Sequence, residues 1–220
     1  MFPTYAIYPF TVSYQPLKSI IFFHQIIVGL QASASMAIDA KIAFLLRYVT
    51  ARFEILGNEI RNAKSMYKFN TCMKKYNELL RYSKEIRLCT KFLVVATMGT
   101  TITAMIFGGL NFVTNQPLVQ KVLYATVVFS ASVELFIYTW PADSLMSMSF
   151  EIAAAVYDTD WYRRDVKQQR MMLHVILRSQ KYEVVQIRGL VRELSLPHYM
   201  KYLYTSLTYF NALRVLMQTS

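Results

Sequence analysis

Apolar and charged positions in this chain segregate into long blocks. From Phe92 to Gln120, 29 residues pass without a charged side chain, and from Val122 to Ala142 the only charge is Glu134. An earlier charge-free run of 20 residues covers Ser19 to Ile38. A helix needs about 20 apolar residues to cross the hydrocarbon core of a bilayer, so each block is long enough to span one. The turn signal Asn115-Gln116-Pro117 separates the last two blocks and makes them a transmembrane hairpin. Gly108-Gly109 and Trp140-Pro141 are expected to end or bend helices.

Between these blocks the charge rides on a helical period. Phe53, Leu56 and Ile60, then Leu79, Leu80 and Ile86, recur at spacings that predict amphipathic helices. Further on, Val166, Leu173, Ile176 and Leu177 form one expected stripe, and Val184, Ile187, Val191 and Leu194 another. Arg163, Lys167, Arg170 and Arg192 occupy the opposite faces. Ser195 is the expected cap of a last helix, with Pro197 in its first turn. From Tyr202 to Ser220 its only charge is Arg214.

The expected fold is all-α, a polytopic transmembrane helical bundle with cytoplasmic amphipathic helical segments. Residues 1–17 form an extracellular loop, and 18–47 a span with its cytoplasmic extension. A cytoplasmic helical region covers 48–91, followed by a span at 92–112, an extracellular turn at 113–119 and a span at 120–142. A second cytoplasmic helical region covers 143–194, and a final span 195–220.

Charge sets the orientation. The net charge of +11 suits either nucleic acid or an anionic membrane surface. Of the 24 basic residues, 12 lie between Lys41 and Lys91 and 9 between Arg163 and Lys201. Basic residues gathered in loops between apolar spans are the positive-inside signature, which places those loops in the cytoplasm and both termini outside. The distribution points away from nucleic acid. Tyr5, Tyr8, Phe10 and Tyr14 suit headgroup depth, and Ala32-Ser33-Ala34-Ser35 suits close helix packing. The residues after Met1 form no signal peptide, and a membrane protein that opens like the middle of a loop is expected to belong to a longer chain.

No catalytic constellation emerges. The chain has no Gly-rich phosphate loop, no His-Glu-x-x-His and no Gly-x-Ser-x-Gly, so no enzymatic activity is expected. Cys72 and Cys89 stand apart without nearby histidines, and His24, His174 and His198 are far apart, so neither a metal site nor a cofactor is expected. Asp158, Asp160 and Asp165 sit among Arg163, Arg164 and Lys167 and read as a solvated ion-pair face. Glu134 either pairs with neighbouring basic helices or stands on an ion path. Arg214 either snorkels to the interface or lines a water-filled path. His24 is either a hydrogen-bonded packing residue or part of an outer pocket. Phe22, Phe23, Tyr124 and Phe129 would wall an apolar cavity, and helix packing explains them equally well.

Several short elements, taken in order, resemble the C-terminal half of insect odorant receptors. They are Ala155-Val156-Tyr157 with Trp161-Tyr162, Leu177-Arg178-Ser179-Gln180-Lys181, Leu194-Ser195-Leu196, and the closing run from Ser206 to Arg214. Tyr8-Pro9-Phe10 looks like the family's second extracellular loop, and Leu79-Leu80-x-Tyr-Ser-Lys resembles the stretch before its fifth span. Tyr182 stands where proline is usual. The related gustatory receptors carry Thr-Tyr, five apolar residues and Gln-Phe; here Val215-Leu216 follows Thr208-Tyr209, which argues against that branch. A transporter or structural membrane subunit is the alternative from another class.

The resemblance implies an odorant-gated cation channel of seven spans, of which this chain would hold the last four. It implies a volatile apolar small-molecule odorant as ligand and a hetero-tetramer with a co-receptor in the plasma membrane of an olfactory sensory neuron. The basic amphipathic helices would form a cytoplasmic anchor and the last span would line the pore. Carried onto this sequence, the ligand pocket would take Phe23, His24, Ile27, Tyr124, Val128 and Phe129. The pore would take Asn211, Ala212 and Val215, and Leu203 and Leu207 are expected lower on that helix, affecting mainly expression.

Overall fold

The computed structural model describes residues 14–113, 117–181, 183–186 and 193–219. Five α-helices and one short 3-10 turn carry the fold, and among the described residues there is no strand. Helix α1 is Leu17–Arg61, α2 Met66–Val113, α3 Leu118–Tyr157, α4 Val166–Ser179 and α5 Leu196–Thr219. The expected all-α membrane bundle is what the chain forms.

The apolar blocks and the charged blocks share helices. At 1.5 Å per residue the 48 residues of α2 extend roughly 72 Å, more than twice the ~30 Å of a bilayer core. The expected boundaries at 91/92 and 142/143 therefore fall inside continuous helices. Among the described residues three helices, α1, α2 and α3, are long and apolar enough to cross a membrane. Helix α5 has the length, 24 residues, but carries His198, Lys201 and Arg214 and lies outside that group.

Neither expected breaker breaks its helix. Helix α2 runs through Gly108-Gly109 and α3 through Pro141. Proline removes one ladder bond, but α3 continues as helix through the buried Pro141. The threonines of the α2 span return their hydroxyls to their own helix: Thr90 to the Ile86 carbonyl at 2.8 Å, Thr97 to Leu93 at 3.0 Å, Thr103 to Gly99 at 2.9 Å. A hydroxyl satisfied this way tolerates hydrocarbon.

The chain divides into two compact units, Met1–Lys41 and Ile42–Ser220. In the first, most of α1's apolar residues are exposed, including Ile20, Phe23, Ile27 and Leu30, as are Ala32 through Ser35. Ser33 donates to the Gly29 carbonyl at 3.0 Å. Tyr14 is likewise exposed. Tyr5, Tyr8 and Phe10 lie outside the described residues.

In the second unit the core lies toward the charged end. Leu46, Val49, Phe53, Leu56 and Ile60 of α1 join Phe69, Tyr76 and Ile86 of α2 and Leu145, Ile152, Ala155 and Val156 of α3. The expected stripe of Phe53, Leu56, Ile60 and Ile86 is buried, with Leu79 and Leu80 packed against it. Burying each large side chain contributes about 1.5–3 kcal/mol. Ser65 caps α2: its hydroxyl accepts the Lys68 N–H at 3.3 Å. Arg164 donates to the carbonyls of Ala63 and Lys64 and so ties the α1–α2 turn to the segment after α3.

Three local expectations are corrected here and one holds. Helix α4 buries Met172 and Ser179 with Val175 and Ile176 beside them, while Val166, Leu173 and Leu177 are exposed. The face was misjudged because two apolar stripes run along this helix and only contact with the core selects one. Val184, Val185 and Leu194 are not helical; Leu194 donates to the Val185 carbonyl at 3.0 Å, and Ile187 and Val191 lie outside the described residues. Helix α5 begins at Leu196 as expected, with Ser195 at the cap position, its carbonyl accepting the Tyr199 N–H at 3.0 Å, and Pro197 in the first turn; the Asp143 carboxylate adds a hydrogen bond from the Leu196 N–H at 3.2 Å. Asp158 pairs with Arg61 at 3.2 Å rather than with its basic sequence neighbours, and Asp160 accepts from Tyr162.

Candidate ligand-binding site

Two adjoining apolar cavities open among α2, α3 and α5. One, about 420 Å³, is walled by Tyr124, Ala125, Val128 and Phe129 of α3, Met105 and Gly108-Gly109 of α2, and Leu203 and Leu207 of α5. The other, about 640 Å³, is walled by Ile102 and Ile106 of α2 and by Tyr202, Tyr209 and Ala212 of α5. Met105, Ser206 and Phe210 belong to both.

The glycine pair makes these walls possible. A Cβ on Gly108 would stand 2.8 Å from Val128 Cγ2, and one on Gly109 would stand 2.7 Å from the Phe210 ring. Glycine therefore lets α3 and α5 seat side chains against the α2 backbone, the close approach that small residues permit between membrane helices. The hydroxyls facing the cavities are spent locally. Ser132 donates to the Val128 carbonyl and Ser206 to the Tyr202 carbonyl, both at 2.9 Å. Below them the Tyr202 and Thr101 hydroxyls share a 2.9 Å hydrogen bond, and Tyr199 donates to the Ser132 carbonyl at 3.1 Å. The walls thus present hydrocarbon and aromatic faces with few free polar groups, which suits a small apolar molecule.

Three of the six expected pocket residues, Tyr124, Val128 and Phe129, line the smaller cavity together. Phe23, His24 and Ile27 belong to the first unit, are exposed there, and line neither cavity. Of the expected pore residues, Ala212 lines the larger cavity, and Asn211 and Val215 are exposed on α5. Leu203 and Leu207, expected lower on the helix, are walls of the smaller cavity. Met105 and Phe210 were not expected as pocket residues; for Phe210 the Gly-Gly pair it packs against was the available signal. Glu134 has an interaction partner, so it is not an isolated charge. Among the described residues no group of His, Cys, Asp and Glu forms a metal site.

The charged end holds a buried ionic cluster. Glu183, 3% exposed, pairs with Arg87 and, at 3.2 Å, with Arg178; Ser83 donates to it at 3.4 Å. The Glu183 N–H donates to Ser149 at 2.9 Å, and Arg87 also donates to the Val184 carbonyl at 3.1 Å. Burial pushes the Arg87 guanidinium below its ordinary value, opposed by the charge of Glu183. Beside this cluster the Tyr76 and Ser179 hydroxyls share a 3.0 Å bond, and burial raises Tyr76 above an ordinary phenol. Arg61 is raised by its hydrogen bond to Asp158. A polar cleft lined by Tyr48, Arg52 and Tyr82 contains the Lys75–Glu59 pair at 2.7 Å and lacks the apolar character of the other two cavities.

Comparison with known proteins decides the family. The pattern described as 7tm odorant receptor matches residues 1–207. The chain belongs to this family. It is 24% identical over 146 residues to odorant receptor Or2 of Anopheles gambiae, covering 65% of this chain and 38% of that protein. With odorant receptor 22c of Drosophila melanogaster it shares 21% identity over 131 residues, 59% of this chain and 32% of the relative. The matched stretch thus spans about a third of each of these relatives. The olfactory receptor OR5 of Machilis hrabei, solved in complex with eugenol, superposes with a TM-score of 0.83 at 14% identity, over 97% of this chain and 56% of that one. These relatives are named as receptors, not enzymes. The chain is a membrane protein of the odorant receptor fold. Its Ala155-Val156, Trp161 and Arg178-Ser179 elements, which carry the resemblance, close the charged end of the fold.

Proposed function

We propose that this chain recognises small apolar odorants and couples their binding to a cation channel assembled with a co-receptor in the plasma membrane of olfactory sensory neurons. The observation that carries the reading is the 420 Å³ apolar cavity, which gathers Tyr124, Val128 and Phe129 against the glycine pair of α2. Phe23, His24 and Ile27, exposed in the first unit, are proposed as ligand contacts on the family resemblance alone. Phe210 belongs to this cavity and to its neighbour, whose wall includes Ala212. Ala212, with Asn211 and Val215 beside it on α5, is the proposed pore constriction. The regions 48–91 and 143–194 are cytoplasmic in this reading, and residues 1–17 and 113–119 extracellular. The charge distribution supports that orientation.

The test is odorant-evoked current in cells that express the chain with a co-receptor, across a panel of apolar volatiles. Phe129→Ala and Tyr124→Ala should reorder the ranking of ligands, each lost wall contact being worth about 1–3 kcal/mol. An unchanged ranking at reduced surface expression would return both residues to helix packing. Substrate flux without such current would instead indicate a transporter.

A further inference from the structure

At the border between the apolar and charged halves of α3, one basic side chain lies on an aromatic wall. The Arg47 guanidinium carbon is 4.7 Å from the centroid of the Trp140 ring, and its Nη1 donates to the Ser144 hydroxyl at 3.3 Å. Trp140 stacks on Phe136 at 6.3 Å, with the planes 6° apart, and Phe136 meets Tyr199 at 5.6 Å. Among the described residues Arg47 has no carboxylate partner. It is exposed, and Trp140 is 48% exposed.

Position gives this pair its meaning. Trp140 closes the apolar run that begins at Val122, and the next charge is Asp143. Val133, Phe136, Ile137 and Trp140 stand at i, i+3, i+4 and i+7, so they share one face of α3, and all are exposed. Phe44 and Tyr48, one helical turn apart on either side of Arg47's position on α1, are exposed as well. In a membrane chain an exposed apolar face ending in tryptophan marks the headgroup boundary. A guanidinium there, stacked on the indole and not neutralised by a carboxylate, keeps N–H donors for a phosphate.

We propose that Arg47 and Trp140 form a binding site for an anionic phospholipid, the headgroup phosphate on Arg47 and an acyl chain along the Val133–Trp140 face. Charge complementarity and the polarity step select a lipid over a soluble anion: the guanidinium reads the phosphate, and the adjoining face takes hydrocarbon that a free phosphate lacks. The stacked ring shields one side of the guanidinium, which strengthens its attraction for an anion at the interface.

The chain has two tryptophans, so Trp161→Phe leaves Trp140 as the sole tryptophan, read by red-edge excitation that the tyrosines do not absorb. In nanodiscs, brominated phosphatidylglycerol should half-quench Trp140 at a mole fraction about fivefold lower than brominated phosphatidylcholine, as expected for one basic contact at an anionic surface. Arg47→Gln should bring the two curves together. Glycerol phosphate at matched ionic strength should leave quenching unchanged, and displacement by it would overturn the commitment to a lipid. Equal quenching by both lipids in the parent chain, or a preference that survives Arg47→Gln, would overturn the site. Absence of quenching by either lipid, with crosslinking of chains through this face, would assign it to a second copy and also overturn the proposal. Native mass spectrometry of the chain with its natural tryptophans gives an independent reading. Arg47→Gln should retain fewer phosphatidylglycerol molecules than the parent, and equal retention counts against the site.

Discussion

Replacing Glu183 by alanine should weaken the charged end of the fold more than any surface substitution. The carboxylate is 3% exposed and answers two guanidiniums and one hydroxyl, those of Arg87, Arg178 and Ser83. Breaking a buried ion pair costs about 3–5 kcal/mol because the remaining charge is left without compensation. Arg178 is 45% exposed at its side chain and recovers water, whereas Arg87 is 23% exposed and its Nε already lacks a partner. The loss therefore falls mainly on Arg87, which places the expected cost near the low end, about 3 kcal/mol. Glu183→Gln keeps an acceptor and should cost about 1–2 kcal/mol. The double substitution Arg87→Met with Glu183→Leu removes both charges and should be milder than Glu183→Ala alone. Denaturant titration of the purified chain in mixed micelles reads these shifts from the unfolding midpoint. An unchanged midpoint for Glu183→Ala, or a double variant weaker than the single one, would refute the claim that this cluster is a compensated buried charge.

Gly109→Ala should push the Phe210 ring from its seat, since the new Cβ would stand 2.7 Å from it, and overpacking of this kind costs about 1–3 kcal/mol. With normal surface expression the odorant response should fall, and an unaltered dose–response curve would show that Phe210 is free to move. Ala212→Asp or Val215→Asp, expressed with the co-receptor, should raise basal current or alter ion selectivity by hydrating the constriction; normal expression with unchanged current in both would defeat the pore assignment. Burial raises the Cys72 thiol, so at mildly alkaline pH it holds less thiolate and should react with iodoacetamide more slowly than the exposed Cys89. Equal labelling of the two by peptide mass spectrometry would contradict this.

The membrane was legible in the sequence because hydrocarbon imposes a length and a polarity on every helix that crosses it. The runs at Ser19–Ile38, Phe92–Gln120 and Val122–Ala142 meet both demands without reference to any partner. The core face of Phe53, Leu56 and Ile60 was legible too, since an amphipathic helix with one apolar stripe has one way to turn. Helix continuity was not. Gly108-Gly109 and Pro141 are breakers by local propensity, and packing on neighbouring helices overrode both. The stripe of α4 shows the same limit. Val166, Leu173 and Leu177 are as apolar as Met172, Val175 and Ile176, and only the position of the core distinguishes them.

The cavities and the ionic cluster depend on residues far apart in the chain. Phe210 reaches Gly109, Arg87 reaches Glu183, and Asp143 caps Leu196, each across more than fifty positions. The family resemblance implied Tyr124, Val128 and Phe129 together, and all three line one cavity. The resemblance left out Met105, Leu203 and Phe210, which face them from other helices. A periodic sequence shows which side of a helix is apolar; which other helix meets that side depends on tertiary packing, and in this chain that packing forms the cavities and buries Glu183.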